Sequence, residues 1–345
     1  MSAYHREHAV AVRPALTTRA YDNTGFKQEQ SGFVKVAYEL RDVRLLADVQ
    51  LRRAAFRYEP SRDAGITAAS VAWSFANPRV GATWRLRGAR AARPGQSAPL
   101  LTVSASYGTS SREPSRGDLL AGADDLNSGN AASLLPLTRV HPENVRDLEV
   151  GLAWNRAGVD VGVNAFAMQF RDEIAPIGAL SLTGSPLRQN VPSSRRNGVE
   201  VDGEWRVLPA LTIGGNVTLM DARIGLYADA SSGITRRNVE PLLTPHVIGN
   251  AAAELRIASS LTLHAGGRYV GASFLGNDSD ARFTLPAAWL ADAALTWRAG
   301  AVLLRVQVDN ALNANAHAGG YHDGQSRYFY PVATRSYLLT STFTF

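Results

Sequence analysis

The chain has 345 residues, of which 45% are hydrophobic and 19% charged, with no cysteine and a formal net charge of +6. That balance is too apolar for a disordered chain, and the lack of cysteine removes disulfides, thiolate metal sites and cysteine nucleophiles together. Apolar runs of roughly 18 residues are absent, which excludes a conventional transmembrane helix but not barrel strands, which hide their apolarity in alternation.

The cationic residues are nearly all Arg and are dispersed rather than clustered, so the basic balance does not read as a nucleic-acid surface. The first residues, from Met1 to His8, lack a basic stretch followed by an apolar core, so they do not read as a secretory signal.

In chain order, one strand is expected within residues 4–13. Val34, Val36, Tyr38 and Leu40 then alternate with Lys35, Glu39 and Arg41. Arg41-Asp42 turns the chain into a second alternating run, Val43, Leu45, Val49 and Leu51. Strands follow at Val80–Leu86 and Leu101–Tyr107. A long polar loop from Ser110 to Val140 comes next and carries Arg112, Arg116, Asp124 and Asp125. The two carboxylates lie in a Gly/Asn-rich stretch and read as solvating that loop.

Downstream one module recurs: an alternating strand, a short turn, a second strand and a long loop. It appears as Leu148–Trp154 with Val159–Phe170, and as Gly198–Val207 with Leu211–Leu219. It returns as Val247–Ile257 with Leu261–Tyr269, and as Trp289–Trp297 with Val302–Val308. The turns fall at Arg156-Ala157-Gly158, Leu208-Pro209, Ser259-Ser260 and Ala299-Gly300. In Val159–Phe170 the apolar phase switches near Ala165, which predicts a bulge there. The polar face carries full charges, among them Asp147, Glu149, Glu200, Asp202, Glu204, Arg268 and Asp292.

The last stretch, Arg335–Phe345, alternates Tyr337, Leu339, Phe343 and Phe345 against Ser336, Thr340, Thr342 and Thr344. About ten such residues suit a tilted membrane strand, and equally an antiparallel edge strand. A soluble sandwich would also show alternation. Short turns on one side, loops of roughly 15–40 residues on the other and aromatics near strand ends favour an outer-membrane barrel. The count is about 14 strands, an even number that can in principle close as a small pore.

Several segments resemble a known family. Asn77-Pro-Arg-Val-Gly-Ala-Thr-Trp-Arg-Leu, Ala105-Ser-Tyr-Gly-Thr-Ser-Ser-Arg-Glu-Pro-Ser-Arg and His141-Pro-Glu-Asn-Val-Arg-Asp-Leu-Glu-Val-Gly are similar to the mid-barrel of TonB-dependent outer-membrane receptors. Phe170-Arg-Asp-Glu-Ile-Ala-Pro-Ile-Gly, Asn190-Val-Pro-Ser-Ser-Arg-Arg-Asn-Gly-Val-Glu-Val-Asp, Val308-Asp-Asn-Ala-Leu-Asn and the terminal Phe345 continue the pattern. The resemblance implies an all-β transmembrane antiparallel barrel. The family barrel has about 22 strands around an amino-terminal plug. Here about 14 strands are expected, with no plug and no TonB-contacting segment, so residues 1–345 are expected to form the carboxyl-terminal portion of such a barrel domain.

The resemblance further implies import of a ferric siderophore or similar metal chelate across a Gram-negative outer membrane. The implied partners are outer-membrane lipid and the TonB complex, the latter reached through a plug not present in this chain. Phe345 would be the aromatic that the assembly machinery recognises. The alternative readings are a passive outer-membrane channel or a truncated receptor remnant, then an outer-membrane enzyme.

Candidate ligand-binding residues are Arg112 and Arg116 in the first long loop, and His317, Tyr321, His322, Arg327 and Tyr328 in the last, Leu312 to Thr334. Arg and Tyr there offer charge-assisted hydrogen bonds and stacking to an anionic chelate. His317, His322 and Asp323 superficially resemble a metal site, but the segment reads as a loop without a regular element to fix the geometry, so no metal site is assigned. No cofactor is assigned. No Gly-x-Ser-x-Gly, His-Glu-x-x-His or phosphate-binding glycine loop occurs, and His264, beside Thr262 and Arg268, reads as a lumen histidine.

Overall fold

A computed structural model describes residues 2–12, 18–87, 100–181, 184, 186–229 and 232–344, with side chains from residue 21 onward. The terminal Phe345 lies outside the described residues.

The chain is almost entirely strand. The first five strands are β1 (Ser2–Val12), β2 (Thr18–Leu40), β3 (Val43–Glu59), β4 (Ala69–Arg87) and β5 (Leu100–Arg112). Two one-turn helices, α1 (Arg116–Leu119) and α2 (Ala131–Leu134), and a 3-10 turn at Leu137–Arg139 lie in the loop after β5. Next come β6 (Glu143–Arg156), β7 (Val159–Leu180), β8 (Pro186–Leu208), β9 (Leu211–Ala228) and the short β10 (Thr235–Val239). Then follow β11 (Val247–Ala258), β12 (Leu261–Val270), a small hairpin of β13 (Ser273–Phe274) and β14 (Thr284–Leu285), β15 (Ala288–Ala299) and β16 (Val302–Asp309). A second hairpin, β17 (His317–His322) with β18 (Arg327–Pro331), precedes the last strand, β19 (Ser336–Phe343).

Fifteen strands form one antiparallel sheet in the order β1 to β9, β11, β12, β15, β16, β19, with β10 beside β9. β1 and β19 are the two ends of this path and do not pair with each other among the described residues.

Cross-strand register shows how alternation builds the wall. Leu152, Val163, Val201, Val217, Gly249, Tyr269 and Trp289 are successive partners across seven strands, and all sit on the outward face. Each strand offers about five such outward residues, roughly 27 Å of strand, enough with tilt for a band near 25 Å tall. Tyr337 and Leu339 of β19 are 71% and 69% exposed. Water would not tolerate such a continuous apolar row, whereas hydrocarbon requires it. Glu200, Asp202, Glu204, Asp147 and Glu149 point to the opposite, concave face.

Buried apolar packing lies at the long-loop end. One cluster joins Phe56, Tyr58 and Val71 on the inner faces of β3 and β4 to Leu119, Leu120, Leu126, Leu134 and Leu137 of the loop after β5. A second joins Ala175, Val191, Ile224, Tyr227 and Val239, and a third Leu275, Phe283 and Leu285. Burying each of the five leucines is worth roughly 1.5–3 kcal/mol, so this loop is a folded element.

Four expectations are corrected. The bulge near Ala165 is absent: β6 and β7 pair without a break from Asn144↔Arg171 to Arg156↔Val159. The irregularity falls at Asp172, whose φ of 52° is left-handed. The apolar phase switches because the strand outgrows the bilayer, and Phe170 turns inward under the Arg196 guanidinium, 4.4 Å from its ring centroid. Two turns sit one residue later than expected, at Pro209-Ala210 and Gly300-Ala301, because the strand ladder runs one pair further before it reverses. Asp125 does not merely solvate its loop. It accepts from the Tyr58 hydroxyl at 2.9 Å and Asn23 Nδ2 at 3.2 Å, and the Asp124 carbonyl accepts from Asn23 at 2.9 Å. The segment Leu312 to Thr334 contains the β17–β18 hairpin, since Asp323-Gly324 supplies a tight turn (Gly324 φ 89°).

Gly198, opposite Phe166, shows how tight the wall is. A Cβ there would lie 2.5 Å from both the Leu219 carbonyl oxygen and the Phe166 ring. Gly198→Ala is expected to cost about 1–3 kcal/mol, read as a lower thermal midpoint of the detergent-solubilised chain by circular dichroism.

Candidate ligand-binding crown

The loops on the long side form two groups. The first, residues 113–140, is held to the inner wall by a charged latch. Arg52 of β3 donates to both Glu113 oxygens, at 2.5 and 2.7 Å, and to both Glu29 oxygens, at 2.8 and 3.0 Å. Lys27 Nζ lies 2.7 Å from Glu113. Burial by itself would raise the Glu113 carboxyl, but hydrogen bonds from Arg52 and Lys27 outweigh it and hold it at about 2. At its far side the same loop meets the β7–β8 hairpin, where Arg188 Nη1 lies 3.9 Å from Asp118.

Both arginines predicted in this loop are committed internally. Arg112 gives a bidentate pair to Glu143, at 3.0 and 3.1 Å, whose Oε2 also accepts the Ile174 N–H. Arg116 donates to Asn23 at 3.2 Å and to the Asp124 carbonyl at 2.5 Å, and its guanidinium lies 6.0 Å from the Tyr58 ring centroid.

The second group joins the β7–β8 hairpin, residues 240–246, the loop 271–287 and the β17–β18 hairpin. Buried Asn277 is its polar pivot: it donates to the Pro176 carbonyl at 2.7 Å and accepts from the Leu242 N–H at 2.8 Å. The Glu240 N–H donates to Ser279 at 2.9 Å, and the Leu243 N–H to the Phe274 carbonyl at 2.7 Å.

The other five predicted residues, His317, Tyr321, His322, Arg327 and Tyr328, all lie on the β17–β18 hairpin. This hairpin is two-faced. Phe329 packs on the Leu275, Phe283 and Leu285 cluster, and the His322 ring stacks on Phe283 at 4.1 Å and 3°. Gly276 leaves room for this ring, since a Cβ there would fall within 2.4 Å of His322 Nε2. The Gly324 N–H donates to His322 Nδ1 at 3.2 Å, and Nε2 lies 3.5 Å from Asp278. With Nδ1 accepting, the ring proton sits on Nε2 toward the carboxylate. Both nitrogens are therefore occupied. His317 lies 4.5 Å from Phe329, ring to ring. Among the described residues no group of three or more His, Asp or Glu converges on a metal position.

The opposite face of the hairpin carries tyrosines. Tyr321 and Tyr328, direct cross-strand partners, stack at 4.9 Å and 16°, and Tyr330 lies 6.1 Å from Tyr321. Tyr328 and Tyr330 are 42% and 49% exposed. The turn below them is tied by hydrogen bonds to Asp323. The N–H groups of Ser326 and Gln325 and the Tyr328 hydroxyl all donate to Asp323 and hold its carboxyl at about 2. The same bond raises the Tyr328 hydroxyl above its ordinary value.

Residue pattern did not reveal the Glu113–Arg52–Glu29 latch or the Asn277 pivot, because their members are far apart in sequence. The hairpin did leave a signal, Asp-Gly between two aromatic alternations. His264 Nδ1 lies 3.4 Å from Glu254 on the inner face.

The family model described as TonB dependent receptor-like, beta-barrel matches residues 3–311. No curated protein matches. Among solved structures, the chain is similar to the ferric-catecholate import receptor Fiu of E. coli K12 in its closed form, with 19% identity and a TM-score of 0.68 over 94% of this chain and 46% of that one. It is similar to the siderophore receptor PiuA of Acinetobacter baumannii (16%, 0.68, 94% and 44%) and to the ferric yersiniabactin uptake receptor FyuA of Yersinia pestis (14%, 0.69, 99% and 49%). The chain thus spans less than half the length of these structures.

The latch gives a pH expectation with a defined sign. The folded pKa of Glu113 is depressed, so its contribution is complete above the unfolded glutamate range near 4.3 and is lost as pH falls toward about 2. Limited proteolysis of the loop 113–140 should therefore be slow and flat above pH 5 and accelerate below about 4. Glu113→Gln should open the loop at neutral pH, since breaking a buried pair costs about 3–5 kcal/mol.

Proposed function

The chain belongs to the TonB dependent receptor-like, beta-barrel family, and from that premise we propose that residues 1–345 form the carboxyl-terminal barrel portion of an outer-membrane receptor that imports a ferric siderophore or similar metal chelate. The three similar structures are an import receptor, a siderophore receptor and an uptake receptor, which favours transport over catalysis. The energy for passage would come from the TonB complex, acting through a plug that these residues do not include. Lipid contacts the outward apolar rows.

The tyrosine face of the β17–β18 hairpin carries this reading. Its back is anchored by Phe329 and His322, so Tyr321, Tyr328 and Tyr330 are presented by a preformed element. A ligand meeting them bears little ordering cost. Flat aromatic or conjugated chelating groups stack on such rings, whereas Arg327, the partner of His322, lies on the other face with its guanidinium 5.7 Å from the Phe329 ring centroid. Arg112 and Arg116 serve instead to hold the loop beside the site, through Glu143 and Asn23.

Titration of the purified chain in detergent with a ferric tris-catecholate, followed by intrinsic fluorescence, should give saturable quenching. Tyr321→Ala with Tyr330→Ala should weaken it about tenfold, roughly 1.4 kcal/mol. Absence of saturable quenching with catecholate, hydroxamate and citrate chelates alike would contradict the proposal.

A further inference from the structure

The outward face changes character where the apolar band ends on the long-loop side. One step beyond the row Leu148, Ala167, Asn197 and Asp221, the next cross-strand row reads Thr109, Arg146, Gln169, Arg195 and Arg223 on β5 to β9. Arg171, one outward position further along β7, adds a fourth guanidinium. At the corresponding edge of β2, β3 and β4 stand Gln30, Arg53 and Ser74, with a single cation. The arginines are thus gathered on four adjacent strands.

Their local partners orient them without cancelling them. Asp221 lies 3.0 Å from Arg223 and 3.7 Å from Arg195, and Arg223 also donates to Glu240 at 2.6 Å. The Arg195 side chain remains 50% exposed. Arg146 and Arg171 are exposed and have no ion pair among the described residues. Arg146 and Arg195 are two strands apart, about 10 Å.

We propose that this arginine row is a binding site for the phosphate-bearing headgroup of a membrane lipid in the leaflet that meets the long loops. This rests on the reading of the chain as a membrane-spanning barrel wall. Position supplies the lipid: the guanidiniums sit at the border of the apolar band, where headgroups lie, so one molecule can place its acyl chains on Leu148, Val150 and Val199 and its phosphate on the arginines. Charge supplies the phosphate. Arginine binds phosphate oxygens bidentately, and two cations about 10 Å apart suit a headgroup with two phosphates or two neighbouring lipids.

Native mass spectrometry of the full chain, incubated in detergent with phosphatidic acid or phosphatidylcholine, tests the proposal. Phosphatidic acid should be retained in preference. The triple variant Arg146→Gln, Arg171→Gln, Arg195→Gln should lose about fivefold in retention per arginine removed, while Arg53→Gln should behave as the unaltered chain. Equal retention by the triple variant and the unaltered chain, or complete displacement by inorganic phosphate, overturns the headgroup site. Quenching of the band tryptophans Trp154 and Trp205 by brominated acyl chains in vesicles separates the two readings. Unquenched tryptophans overturn the membrane wall and this site together, whereas quenching without headgroup preference overturns only the site.

Discussion

Within hydrocarbon every backbone N–H and C=O must find a partner in the protein, and most of what is seen here follows from that requirement. The ladders are unbroken where the outward face is apolar. Register shifts in the wall described after β2 fall near strand ends: between Arg206 and Leu208, between Arg256 and Ala258 beside the short turns, and between Pro176 and Leu180 at a loop tip. A bulge leaves a backbone group unpaired, so it is confined to places that water reaches. The same requirement explains the continuity of β7 through Ala165, where side-chain pattern alone suggests a break.

A wall built this way has little core of its own. Its outward residues pack on lipid and its inward residues are polar, so protein-to-protein apolar packing must arise elsewhere. It arises in the loops. The leucines of residues 113–140 close on Phe56, Tyr58 and Val71, and Phe283 and Leu285 close on the back of the last hairpin. The polar ties of this region, Arg52 to Glu113 and Asn277 to Pro176, link segments roughly 60 and 100 positions apart. They convert long connections, otherwise costly to order, into a crown that holds its shape.

Alternation with period two made the spanning strands legible, and short turns were placed within a residue. The strand ends were not legible, because β2, β7 and β8 continue for many residues beyond the bilayer. There the outward face need not be apolar, so periodicity falls silent while the hydrogen-bond ladder goes on. The candidate site could be named by residue type but not by arrangement. Tyr321, Tyr328, His322 and Arg327 could be named from residue type, yet only the hairpin shows that tyrosines and His322 occupy opposite faces. Arg112 and Arg116 have the same chemistry as Arg327 on paper. Their commitment to Glu143 and Asn23 depends on partners that no local pattern reveals.

The edge of the bilayer is therefore where the rule of the wall is exchanged for another. Below it, each strand sends apolar residues outward and charges inward. Above it, Phe170 turns inward beneath Arg196 while Arg171, Arg195 and Arg223 turn outward. The inversion is not disorder in the pattern but the same solvent logic applied to new surroundings. An inward aromatic finds a guanidinium instead of open lumen water, and an outward arginine stands past the apolar row, where a charged head is no longer set against apolar surroundings. Exposed tyrosines and outward arginines both become possible once the strands leave the apolar band, because only there are side chains released from serving it.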